Sequence, residues 1–132
     1  MTKFLNSLQP WGALLLRLVL GAAMIFHGYQ KVSTHAALHH FVHHVVTLGL
    51  PYWLGYVLAF TEFVGGILIV LGLFTRFASA MIAINLLVAL FTVGIHQGFG
   101  DSNYTAELVA IAIMLCFYGA GALALDRRLG LS

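Results

Sequence analysis

Four polar side chains lie inside otherwise apolar runs: Arg17, Glu62, Asn85 and Tyr118. A guanidinium, a carboxylate, a carboxamide and a phenol together provide hydrogen-bond donors and one protonatable acid. That is the set a buried polar ligand site needs. A second group, His27, His96 and Glu107, has the composition of a two-histidine, one-carboxylate metal site. A third is the histidine-rich stretch His35, His39, His40, His43 and His44. In it His39/His43 and His40/His44 are i, i+4 pairs, a spacing that can chelate a transition metal. The same stretch also reads as a wet, neutral, mildly polar helix face. Cys116 is the single cysteine, so the chain can close no internal disulfide and holds no Cys-x-x-Cys redox pair.

The elements that carry these residues follow from composition. Charged residues make up 8% of the 132-residue chain and hydrophobic residues 61%. An ordinary soluble domain carries about 25% charge. So little charge excludes a water-soluble globule and excludes the basic face that nucleic-acid binding requires. Four runs approach the roughly 20 apolar residues that cross a bilayer, at about 12–29, 52–74, 77–96 and 105–125. They lack period-2 alternation, so they are read as helices, the first of them a retained helix and not a signal peptide. The segment 33–48 places its histidines on one half of a helical wheel and Leu38, Phe41, Val42, Val45 and Leu48 on the other. That predicts an amphipathic helix at the membrane interface. The expected fold is an all-α membrane protein: one domain over residues 1–132, a four-transmembrane-helix bundle with a short interfacial helix between helices 1 and 2. Residues 97–103 are expected to form a glycine-rich polar loop before the fourth helix.

Orientation follows from the Lys and Arg asymmetry. Lys3, Arg76, Arg127 and Arg128 fall on one side, and Lys31 alone on the other. Both termini are therefore expected in the cytoplasm of a multi-pass protein.

Each helix carries a stripe of small and polar residues at i, i+4, i+7, i+11, and such stripes pack inward. The stripes are Arg17, Gly21, Met24, Gly28; Gly55, Ala59, Glu62, Gly66; Asn85, Ala89, Thr92, His96; and Glu107, Ile111, Met114, Tyr118. Helical rise puts Arg17 about 9 Å above the cytoplasmic end and Glu62 about 18 Å above it. An arginine reaching upward spans most of that difference, so Arg17 and Glu62 are expected to pair across the bundle; the alternative is an Arg17 that snorkels to the cytoplasmic headgroups. Two readings stand for Glu107: a member of the outer metal set, or a carboxylate complementing the helix dipole.

The ordered segments Leu15-Leu16-Arg17-Leu18, His27-Gly28-Tyr29-Gln30-Lys31, Gly49-Leu50-Pro51, Glu62-Phe63-Val64-Gly65-Gly66 and Leu71-Gly72-Leu73-Phe74-Thr75-Arg76 resemble the DoxX family of small bacterial membrane proteins. The resemblance implies a four-helix protein of the bacterial inner membrane. The family name comes from a subunit of a thiosulfate:quinone oxidoreductase, and other members are linked to membrane redox complexes. The resemblance therefore implies an accessory or anchor subunit of a respiratory or sulfur-oxidising complex, with other membrane or periplasmic redox subunits as partners. A second reading is a quinone-binding redox module that uses Arg17, Glu62, Asn85 and Tyr118. Any enzymatic activity would then belong to a quinone-linked oxidoreductase. A third is metal binding through His39, His40, His43 and His44. The histidine-rich helix is not part of the family pattern.

Overall fold

The computed structural model describes residues 1–94 and 99–130. Its elements are α1 (Thr2–Ser7), α2 (Gln9–Val32), α3 (His35–Thr47), α4 (Tyr52–Leu71), α5 (Thr75–Ala89) with a π-helical turn over Leu90–Gly94, α6 (Phe99–Tyr118) and α7 (Leu125–Arg128). Among the described residues there is no β-strand. Among the described residues, three stretches are long and apolar enough to cross a membrane: Gln9–Val32, Tyr52–Leu71 and Thr75–Thr92. The apolar part of α6, Tyr104–Tyr118, is shorter.

Local chemistry sets the boundaries. Pro10 sits in the first turn of α2, where its missing N–H removes no helical bond. Thr34 caps α3, its hydroxyl accepting from the Ala37 amide at 3.0 Å. Pro51 opens α4. Two boundaries differ from expectation. The fourth apolar helix begins at Phe99, inside the stretch expected to be a loop. It ends at Tyr118 and not near Leu125, because Gly119 and Gly121 take positive φ of 101° and 76° and turn the chain back. A Cβ at Gly121 would also lie 2.6 Å from the Pro10 carbonyl oxygen and from the Ala13 Cβ, so only glycine fits this return.

The helices pack as two pairs, α2 on α4 and α5 on α6, joined along α4 and α5. The first pair is tightly joined at Gly28, where a Cβ would stand 2.6 Å from the Phe63 backbone. Leu20, Met24, Ile69, Ile82, Leu86, Ala112 and Leu115 form the shared core. Outside it, Phe26, Trp53, Phe60, Phe77 and Phe117 are exposed. Apolar surface on that scale marks a lipid or protein contact. The stripes expected on α2 and α4 are buried, but α6 is rotated from its expected face. Leu108, Ala112 and Leu115 point inward while Glu107, Met114 and Tyr118 are exposed. Nearly every side of α6 is aliphatic, so its sequence distinguishes the faces poorly.

Candidate functional site

Buried polar chemistry gathers at two centres. They are separated by about 21 Å of helical rise along α2, from Arg17 to Lys31.

The first centre is built on Arg17, which is completely buried. Its Nε donates to the Ile69 carbonyl at 3.0 Å. Its Nη1 donates to Ala120 and Ala122 at 2.9 and 2.7 Å. Its Nη2 donates to Val70 and Leu123 at 3.0 and 3.3 Å. Ile69 and Val70 end α4, where carbonyls lose their helical partners and the helix dipole favours a cation. The others belong to the return after α6. All three guanidinium nitrogens are thus engaged, and Arg17 ties α4 to the C-terminal segment. Asp126 completes this end. Its Oδ1 accepts from the Phe74 amide at 2.6 Å and its Oδ2 from the Thr75 amide at 2.8 Å, capping α5.

The second centre is built on Glu62, also buried. Lys31 Nζ lies 2.8 Å from Oε1 and 2.7 Å from Oε2. The ammonium also stands 4.4 Å from the centroid of the Phe41 ring of α3, a cation–π contact. Asn85 of α5 donates to the Leu58 carbonyl of α4 at 2.8 Å. Between these groups is a cavity of about 60 Å³, lined in part by Lys31, Glu62, Asn85, Thr92 and His44. Thr92 belongs to the π-helical turn and donates to the Val88 carbonyl at 2.7 Å. Such turns recur where a helix is adapted to a functional site.

The structure corrects the expected partnership of Arg17 and Glu62. Arg17 reaches down to the α4 C-terminus, and Glu62 is held by Lys31 from above. Carbonyls at Arg17's own level satisfy its donors more closely than a carboxylate two turns away. In the sequence Lys31 serves as a marker of orientation and not as a site residue, although it continues the α2 stripe Arg17, Gly21, Met24, Gly28 by three further residues.

The remaining candidates are dispersed. Tyr118 is exposed at the Arg17 end, where its carbonyl accepts from Arg76 at 3.2 Å. It therefore does not join Glu62 and Asn85. His27 Nε2 lies 3.4 Å from the Tyr104 hydroxyl, Glu107 is exposed, and His96 lies outside the described residues. His39, His40, His43 and His44 are exposed on α3. Among the described residues, no three of His, Cys, Asp and Glu converge on a common metal position.

Long apolar helices, many exposed apolar side chains and charged groups buried between helices make the described residues those of an all-helical membrane protein. The DoxX family profile matches residues 12–95. A Bacillus subtilis (strain 168) protein named "Putative oxidoreductase CatD" is 33% identical over 123 residues, covering 92% of this chain and 90% of that protein. The chain belongs to the DoxX family. No solved structure matches it significantly.

Proposed function

We propose that this protein is a small inner-membrane subunit of a redox complex, in which Lys31, Glu62 and Asn85 form the polar end of a quinone-headgroup site. The observation that carries this reading is the buried Glu62 carboxylate, held by Lys31 beside a cavity that Asn85 also lines. The donor set fits a quinone: an ammonium and a carboxamide can hydrogen-bond its carbonyl oxygens, and the carboxylate can hold or release a proton beside them. A cavity of about 60 Å³ is smaller than the roughly 150 Å³ that admits a benzene ring. Ring entry therefore requires outward movement of the α3 side, where Phe41, Val45 and Leu48 form the wall. An apolar groove between α4 and α5, lined by Phe60, Val64, Phe77 and Met81, offers a place for a hydrocarbon tail. One cysteine cannot cycle between dithiol and disulfide, so this reading draws electrons from a partner subunit.

In this reading α2, α4, α5 and α6 are the four crossings, and α6 completes its passage through the apolar return after Tyr118. The amphipathic α3 lies at the outer interface, and both termini face the cytoplasm. The support is the Lys and Arg asymmetry: with four crossings, Lys3, Arg76, Arg127 and Arg128 fall on one side and Lys31 alone on the other.

Purification of the wild type and Glu62→Gln in mild detergent, with mass spectrometry of bound lipids and proteins, tests the reading. Near-stoichiometric quinone in the wild type, depleted in the variant, together with co-purifying redox subunits, is the expected result. Redox subunits without quinone would leave only the anchor role. Neither quinone nor redox subunits would overturn both parts.

A further inference from the structure

α3 carries five histidines, of which only His44 lines the Glu62 cavity. His35, His39, His40, His43 and His44 are all exposed, while Val42 and Val45 of the same helix are buried. Val42 packs against Gly55 of α4, where an added Cβ would come within 3.1 Å of its Cα. With the Thr34 cap at its start, the helix is fixed along its apolar side and turns its imidazoles outward. Among the described residues, the side-chain hydrogen bonds of this stretch are made by Thr34 and Thr47, not by imidazoles.

Residues four apart on a helix rise about 6 Å and hold their Cβ atoms about 5–6 Å apart. Two imidazoles at that spacing can reach one ion between them at metal–nitrogen distances of about 2 Å. Three such pairs occur: His35/His39, His39/His43 and His40/His44. They are not equivalent. His35 is the first residue of α3, at the positive end of the helix dipole, which disfavours a cation. His44 contributes to the wall of the Glu62 cavity, so the His40/His44 pair is shared with another site. His39 and His43 have neither handicap.

We propose that the outer face of α3 is a binding site for a divalent transition metal, with His39 and His43 as its protein ligands. With only two protein ligands, the remaining positions are left to water or an added ligand. For an imidazole pair of this kind the order of affinity favours Cu²⁺ over Ni²⁺ and Zn²⁺. The helix is already folded and anchored, so binding orders only two side chains.

The test uses the full chain in detergent without a polyhistidine tag, titrated with Cu²⁺ in a non-coordinating buffer. Binding is read by calorimetry and by the nitrogen couplings of the Cu²⁺ electron paramagnetic resonance spectrum. The wild type should bind Cu²⁺ with two nitrogen ligands. His39→Gln with His43→Gln removes both proposed ligands and should weaken binding by about tenfold or more and abolish the two-nitrogen spectrum. His40→Gln with His44→Gln, and His35→Gln, should retain both. Because all five positions are exposed, every variant should keep its helical circular dichroism. No binding by the wild type, unchanged binding in the His39/His43 variant, or equal or greater loss in the His40/His44 variant would overturn the proposal.

Discussion

Lys31 grips Glu62 through both carboxylate oxygens, at 2.8 and 2.7 Å, and bridges the end of α2 to the middle of α4. The lysine side chain is 26% exposed and the glutamate 6%. The pair therefore sits at a boundary: the carboxylate is committed to the interior while the ammonium retains a route outward. Removing the lysine strands the buried acid. Lys31→Met should destabilise the protein by about 2–3 kcal/mol, below the range for fully buried pairs because of that exposure. Adding Glu62→Gln should return stability to within about 1 kcal/mol of the wild type. Unfolding in mixed micelles by denaturing detergent gives the comparison. If Lys31→Met costs nothing, the contact contributes nothing to the fold.

Helices of this length and apolarity can be read from sequence because lipid forces backbone groups to pair within each segment. The inward stripes of α2 and α4 were legible for the same reason, since glycine at Gly28 and Gly66 admits a close neighbour. Glu62 was recognisable as buried because a carboxylate at its depth has no route to the headgroups, and Asn85 because it lies on a stripe of small and polar residues. What sequence withheld was partnership. Arg17 carries a charge, and charge suggests an opposite charge, but backbone carbonyls at a helix end satisfy it as well. The return at Gly119–Ala124 is as apolar as a span, and only its two glycines mark the turn. On α6, aliphatic residues on nearly all sides of Tyr104–Tyr118 made the stripe Glu107, Ile111, Met114, Tyr118 a poor guide, and the buried face is that of Leu108, Ala112 and Leu115.

Asp126 joins the C-terminal segment to the start of α5 by two amide bonds, and its own amide donates to the Gly72 carbonyl at 2.9 Å. Asp126→Ala removes both side-chain acceptors and strands two amides at the N-terminus of a helix. The expected loss is about 1–2 kcal/mol, the upper part of the range for a cap. Asp126→Asn should lose less, since its carboxamide oxygen still accepts one bond. Thermal unfolding of the two variants in the same detergent ranks them. Equal stability of Asp126→Ala and the wild type would remove Asp126 from the cap.

Gly28 and Phe63 test how tightly α2 and α4 are joined. A methyl at position 28 would stand 2.6 Å from the Phe63 amide nitrogen and Cα, which are backbone atoms and cannot rotate away. Gly28→Ala should therefore separate the helices and cost about 1–3 kcal/mol, despite the better helix propensity of alanine. Gly12, with nothing near its added Cβ, is the control: Gly12→Ala should be neutral or slightly stabilising. If both substitutions behave alike, the close approach of α2 and α4 at Gly28 is wrong.

Arg17 and Glu62 offer the sharpest test, because their types invite a pairing that the fold does not make. Arg17 is spent on the carbonyls of Ile69, Val70, Ala120, Ala122 and Leu123. From Glu62 to Ile69 the rise along α4 is about 10 Å. Arg17→Met strips donors from five carbonyls in the interior and should cost at least about 3 kcal/mol. Arg17→Lys should fall between, because an ammonium has three donors without the planar fork that reaches two elements at once. In a double-mutant cycle, Arg17→Met and Glu62→Gln share no partner. Their effects should add within about 0.5 kcal/mol. The Lys31–Glu62 cycle, measured alongside, should show strong coupling. A coupling above about 1 kcal/mol between Arg17 and Glu62 would mean that the two charges interact and that the carbonyl cradle is not their resting arrangement.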